Sequence, residues 1–366
     1  MNQTYLNQLA AQIKAEGLDA LLIAPSPDLS FLIGHSPMHC YRFQGLFIDA
    51  RGEYFYVCNL LTAGEMQKYL PSTAVYDWHD NDGFIETVRK ALTDHGLLGK
   101  KIGVNKHVRA FNILEISQAM DVHFVSAKDL CADVRIRKSE EEIACMRQAA
   151  RFSEKAFLMT LDTIHPGMTE GDVANNLIRY THELGGEAAA AMIISGENCG
   201  DAHYIGNSRV LKKGDTLILD FGCAYKGLRT DITRTIFLGS ASDRQKKLYE
   251  LVREANQAAE DRLIRGERWI PNIDAAARDI ITQAGYGKAF TTRLGHGIGY
   301  MGHESPDIKG SHKRMLEPGM CFSIEPGIYL SGDTGIRIED CVAINSQGEA
   351  VVLTDGLTKE LCIIDF

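Results

Sequence analysis

The chain has 366 residues, 45% of them apolar and 24% charged, so it is long enough for two globular domains with sizeable cores. Its net charge of −9 is spread along the sequence without a basic arm, which argues against nucleic acid and anionic membrane as partners. No apolar run nears the ~20 residues of a membrane span, and the first residues lack a signal-peptide pattern. Nine irregularly spaced cysteines without a CxxC pair suit free thiols in a reducing cytoplasm.

In the first third, Leu6, Leu9, Ala10 and Ile13 recur at helical spacing until Gly17 ends the pattern. Ala20 to Ala24 is a short apolar run stopped by Pro25 and Pro27, which predicts a buried strand. Leu46 to Ile48 and Tyr54 to Val57 flank Asp49-Ala50-Arg51-Gly52, the pattern of a hairpin. Further strands are expected at Lys101 to Val104 and Val122 to Val125. Together they predict an α/β domain over residues 1–130. Gly34-His35-Ser36-Pro37-Met38-His39-Cys40 is read as a plain loop, because Pro37 interrupts it and no fourth metal ligand is near.

A second domain is expected over residues 131–366. Ser139 and Glu142 have capping-box spacing at the start of a long helix running to about Leu161. Thr169 with Asp172 starts another helix, which Gly185-Gly186 ends; Leu248 to Ala259 and Ile273 to Ala284 mark a third and a fourth. Strands are predicted at Met192 to Ser195, Thr216 to Phe221, Leu228 to Phe237, Cys321 to Leu330 and Ile336 to Ile344. This is an α+β arrangement of antiparallel hairpins covered by helices. Cys145, Cys223, Cys321 and Cys341 lie in apolar stretches and are read as small core residues.

The chemistry starts at Asp220, which ends the apolar run Thr216-Leu217-Ile218-Leu219, where a charge is costly unless something pairs with it. A turn around Tyr225-Lys226-Gly227 would set Asp231 opposite Asp220, with Cβ atoms roughly 5 Å apart. Carboxylates that close share a proton or a cation, or else form a solvated surface pair. The pattern recurs: Glu325 and Glu339 are symmetric about Gly332 and can face each other across a second hairpin. Arg337 shares the face of Glu339 and can orient a carboxylate, bind substrate or serve as a structural ion-pair partner, while Asp340 points the other way. His296 lies between the hairpins in Leu294-Gly295-His296-Gly297-Ile298-Gly299, followed by His303. Four carboxylates and one imidazole form a mostly hard donor set that suits paired Mn²⁺, Co²⁺ or Zn²⁺ better than a thiolate zinc site.

These segments, Asp-Phe-Gly, Thr-Asp-Ile-Thr-Arg, Gly-His-Gly-Ile-Gly, Glu-Pro-Gly and Arg-Ile-Glu-Asp, resemble those of the pita-bread metallopeptidases, and the likeness spans essentially the whole chain. An N-terminal α/β domain before the pita-bread domain is similar to the prolidase and aminopeptidase P branch. Methionine aminopeptidases generally lack that domain, and creatinase lacks the metal ligands. The resemblance implies that Asp220 chelates one metal, that Asp231 and Glu339 bridge both, and that His296 and Glu325 complete the second. It implies that His203, in Ala202-His203-Tyr204, contacts substrate, and that His303 steadies the tetrahedral intermediate. Many relatives carry another residue where Ala202 stands. Arg314 resembles a prolidase arginine that takes the C-terminal carboxylate of a dipeptide.

The implied activity is cleavage of the Xaa-Pro bond in dipeptides by a metal-bridging hydroxide, with Glu325 moving the proton. Removal of the first residue from longer Xaa-Pro peptides is the alternative, and a non-peptide hydrolase or a non-catalytic adaptor are lesser ones. A cytoplasmic homodimer is implied too, with the His35 to Cys40 loop capping a partner's active site.

Overall fold

In a computed structural model of residues 1–366, the helical spacing near the N-terminus is the helix Gln3–Ala15, with Leu6, Leu9, Ala10 and Ile13 buried. The chain divides into two units, Met1–Arg135 and Ile136–Phe366.

The first unit is built on a six-stranded mixed sheet. Its order is Val75–Trp78, Tyr54–Asn59, Gly45–Asp49, Ala20–Ile23, Lys101–Val104, His123–Ser126. The Ala20–Ile23 strand is apolar throughout because both its faces are covered. Leu21 and Ile23 enter one core, Ala20 and Leu22 the other. Pro27 does more than stop this strand: with Ser26 as N-cap it opens the helix Pro27–Ile33. The Leu60–Tyr69 helix had no sequence signal because it buries only Met66, too narrow a stripe to make a period.

In the second unit the expected capping box of Ser139 with Glu142 is present on the helix Glu140–Leu161, and Thr169 with Asp172, expected as a helix start, forms a second box on Glu170–Glu183. Behind these helices lies a five-stranded sheet in which Cys362–Ile364, Ile232–Leu238, Thr216–Tyr225 and Glu187–Ser195 run in that order, with Leu228–Arg229 paired onto Thr216–Tyr225. The order then repeats. Helices Asp243–Ile264 and Ile270–Gln283 precede a second five-stranded sheet ordered Glu304–Ile308, Gly295–Gly297, Cys321–Ile324, Asp340–Ile344, Ala350–Val352. The first half therefore runs helix, helix, strand, then hairpin, and the second runs helix, helix, two paired strands, then hairpin.

Three strands expected to be continuous are interrupted. Leu228 to Phe237 breaks at Thr230-Asp231, Cys321 to Leu330 at Glu325-Pro326, and Ile336 to Ile344 at Ile338-Glu339. Each break carries one of the three carboxylates Asp231, Glu325 and Glu339. Periodicity cannot show this, because the apolar pattern runs on through the break.

Candidate metal centre

Lys226 and Gly227 both adopt positive φ, 51° and 77°, and form the two-residue turn that matches strand twist. This turn sets the register so that Asp220 faces Thr233 and Phe221 faces Ile232. Asp231 is therefore diagonal to Asp220 and not directly opposite, a shift from the expected pairing caused by where the turn is centred. In the second hairpin the expected register holds. The Ile324–Asp340 and Gly327–Arg337 pairs bracket Glu325 and Glu339, which lie level in the gap between two ladders. Glu339 leaves that ladder to donate its N–H to Thr233 O at 3.0 Å, which ties the second hairpin to the first. Glu325 donates its N–H to Leu294 O at 2.7 Å, beside the His296 strand. His296 sits on a strand hemmed in on both sides: a Cβ on Gly295 would meet Ser323 O at 1.9 Å, and one on Gly297 would meet Ser305 O at 2.0 Å. Only glycine fits at either position.

These backbone paths converge. Asp220, Asp231 and Glu339 form one trio of ligand atoms mutually within 4.8 Å; His296, Glu325 and Glu339 form a second, and Asp231, His296 and His303 a third. Burial pushes the Asp231 carboxyl well up, and Asp220 and Glu325 push it further. Burial followed by Asp231 does the same to Glu339. Glu325 is pushed up to about 7 by burial, with Arg337 opposing and Asp220 adding to the rise. Burial, then His303, holds His296 down to about 3, so its imidazole is neutral at pH 7. Its Nδ1 lies 3.0 Å from Gly297 O and donates there, which leaves the Nε2 lone pair 3.3 Å from Glu325 Oε1. A lone pair facing a carboxylate, crowded acids and the buried Glu339 Oε1 without a hydrogen-bond partner all fit a cation between them.

Further side chains hold these candidate ligands. Thr233 Oγ1 donates to Glu339 Oε2 at 2.7 Å, and Ser323 Oγ to Glu325 Oε1 at 3.1 Å. Arg337 donates Nη2 to Asp220 Oδ2 at 2.5 Å, Nε to Thr233 and Nη1 to Tyr329. Asp340 does point away, into a buried network with Arg234 at 2.8 Å and Lys359 at 3.1 Å. Thr233, Ser323, Tyr329 and Arg234 had no sequence signal of their own, since neutral strand residues and a strand arginine are common. Thr233 was findable only as the residue two beyond Asp231.

The cluster opens into a cavity of about 640 Å³ lined by His203, His303 and Arg337, by Ala188, Ala190 and Ala191, and by two arginines not singled out from sequence, Arg229 and Arg293. The His303 and His296 ring centroids are 4.0 Å apart. Arg314 lies outside these walls, with its guanidinium 3.6 Å from Glu317. Cys223, Cys321 and Cys341 are buried as expected, Cys145 is only partly so, and all nine thiols are free.

Residues 144–346 match metallopeptidase family M24, and residues 6–137 match the creatinase/prolidase N-terminal domain. The chain is 33% identical to the Xaa-Pro dipeptidase of Pyrococcus horikoshii, over 90% of this chain and 91% of that one. It is also 33% identical to the probable dipeptidase PepE of Mycobacterium tuberculosis, over 97% and 95% respectively. Among solved structures, the prolidase from Thermococcus sibiricus superposes with a TM-score of 0.91 at 28% identity, covering 100% of this chain and 99% of that one.

Proposed function

The chain belongs to metallopeptidase family M24, and on that premise we propose that it cleaves the Xaa-Pro bond of dipeptides with two divalent cations held by Asp220, Asp231, His296, Glu325 and Glu339. The observation that carries the reading is the overlap of the trios. Glu339 belongs both to the Asp220-Asp231 set and to the His296-Glu325 set, which suits it to a shared place between two ions. An oxygen-rich donor set with one nitrogen favours Mn²⁺ or Co²⁺, with Zn²⁺ the alternative. Bound cations supply a nucleophile near neutral pH and Lewis acidity at the scissile carbonyl.

The chain's own residues do the rest. Glu325, pushed up to about 7, takes the proton from the attacking water and returns it to the leaving proline nitrogen. His303 donates to the developing oxyanion, and His203 contacts the substrate from the cavity wall. Arg337, fixed by four partners, keeps Asp220 aimed inward. Proline carries no amide N–H, so the cavity needs no acceptor at that position. The working form is a homodimer in the cytoplasm, where nine free thiols stay reduced.

The test is hydrolysis of Xaa-Pro dipeptides and Xaa-Pro-Xaa tripeptides by metal-stripped protein supplied with Mn²⁺, Co²⁺ or Zn²⁺. Metal-dependent cleavage confined to dipeptides supports the reading. Cleavage of tripeptides moves it to an aminopeptidase, and inactivity on both with every metal rejects it.

A further inference from the structure

Three arginines line the cavity, and two of them are already engaged. Arg337 is held by Asp220, Thr233 and Tyr329. Arg293 faces Asp307 at 3.4 Å, and that carboxylate also receives Lys309 at 2.6 Å. Arg229 is partly buried in the same wall with no carboxylate in ion-pair reach. Its backbone is rigidly placed, since it pairs with Ala224 across the Lys226-Gly227 turn and donates its N–H to Gly299 O at 2.8 Å.

Small side chains leave room in the same cavity. Ala188, Ala190 and Ala191 belong to the Glu187–Ser195 strand, where the register slips between Glu187 and Ala190. Ala188 sits there at φ 44°, a strained conformation for a residue with a Cβ. Partly burying a guanidinium without a counter-charge is unfavourable unless the partner arrives with the ligand.

Distance supports a substrate role. Asp231 is two residues from Arg229, at most about 7 Å along the chain. The terminal carboxylate of a dipeptide lies about one residue, roughly 3.5 Å, beyond its scissile carbonyl. A long arginine side chain covers that gap.

We infer that Arg229 recognises a carboxylate on the substrate. Two sources share that chemistry, the free C-terminus of the dipeptide and an acidic side chain on the residue before proline. The inference rests on the Xaa-Pro reading for the identity of the substrate, and not for the existence of the carboxylate subsite.

The experiment compares wild type, Arg229→Ala, Arg229→Lys and Arg314→Ala on Ala-Pro, Ala-Pro amide and Glu-Pro. Calorimetric binding of L-proline and L-prolinamide runs beside it. For the C-terminal source, Arg229→Ala raises KM for Ala-Pro about ten-fold or more, the size of a lost charge-assisted hydrogen bond, and leaves kcat nearly unchanged. The Ala-Pro amide KM then stays put, L-proline binding weakens to match, Arg229→Lys recovers part, and Arg314→Ala behaves as wild type. A KM rise confined to Glu-Pro assigns the side-chain source instead. Equal effects on acid and amide substrates, or none on any, overturn the inference. If wild type cleaves no Xaa-Pro substrate, the peptidase reading falls. Selective loss of L-proline binding over L-prolinamide binding in Arg229→Ala still decides the subsite.

Discussion

Removing the metal should make the stability of this protein fall as pH rises, and Glu325 shows by how much. Its ordinary value of 4.5 is raised to about 7 in the folded protein, chiefly by burial. Below pH 4.5 the carboxyl is protonated in both folded and unfolded states and costs nothing. Between 4.5 and 7 the unfolded chain has released the proton while the folded one retains it. Each pH unit in that window costs the folded state about 1.4 kcal/mol, so about 3 kcal/mol is lost across it. Asp231 and Glu339 are raised in the same direction and steepen the fall. A bound cation stabilises the ionised carboxylates and reverses the trend. At a hundred times its Kd it adds about 2.7 kcal/mol, which for a domain of this size raises Tm by about 5–10 °C. The assay is thermal unfolding from pH 5 to pH 8 in EDTA and in Mn²⁺, for wild type and Glu325→Gln. Metal-free wild type should lose Tm as pH rises, Mn²⁺ should restore it at pH 8, and Glu325→Gln should show a flatter metal-free profile. Parallel metal-free profiles for the two proteins, with a manganese shift below about 1 °C, would refute the reasoning.

Other perturbations test separate links. Arg234 is 3% exposed and donates to Asp340 Oδ1 and to the carbonyls of Glu339 and Leu357, so Arg234→Met should cost about 3–5 kcal/mol in urea unfolding. A loss under about 1 kcal/mol would mean that the network adds little to packing. His303→Asn should lower kcat about a hundred-fold or more with KM within a few-fold, provided the variant retains its metal by elemental analysis. A normal kcat removes His303 from the reaction. In the first unit, burial alone would raise Asp28, but His107 at 3.8 Å, the Arg135 charge and a hydrogen bond from Asn105 outweigh that and hold it below 3.8. Its contribution is thus present above pH 3.8 and lost as pH falls through the lower folded value. Asp28→Asn should cost about 3 kcal/mol at pH 7, read as faster hydrogen exchange in residues 1–135, because Arg135 is 1% exposed and loses this partner. The gap between variant and wild type should close in strong acid; a gap that persists there would show that packing and not charge is responsible.

Much of this molecule was legible in its residues, and for local reasons. Capping boxes at Ser139 and Thr169 depend on contacts three residues apart, so spacing alone reveals them. Glu325 and Glu339 could be aligned by counting from Gly332, because a short loop fixes the register of its own hairpin. The five candidate ligand positions stand in distinctive segments whose polar residues are anomalous in apolar strands. What those residues do together depends on the tertiary fold. The Asp220 register turned on whether the turn centred between Tyr225 and Lys226 or one residue later, between Lys226 and Gly227, a choice made by two positive φ angles. Contacts over a hundred residues apart in sequence, Glu339 with Thr233 and Arg337 with Asp220 among them, join the two hairpins into one cluster. The same holds for the arginines. Sequence singled out Arg314 and Arg337 and passed over Arg229 and Arg293, and only the packing around each shows that Arg337 and Arg293 have carboxylate partners, that Arg314 lies outside the cavity wall, and that Arg229 lines it with no carboxylate in ion-pair reach.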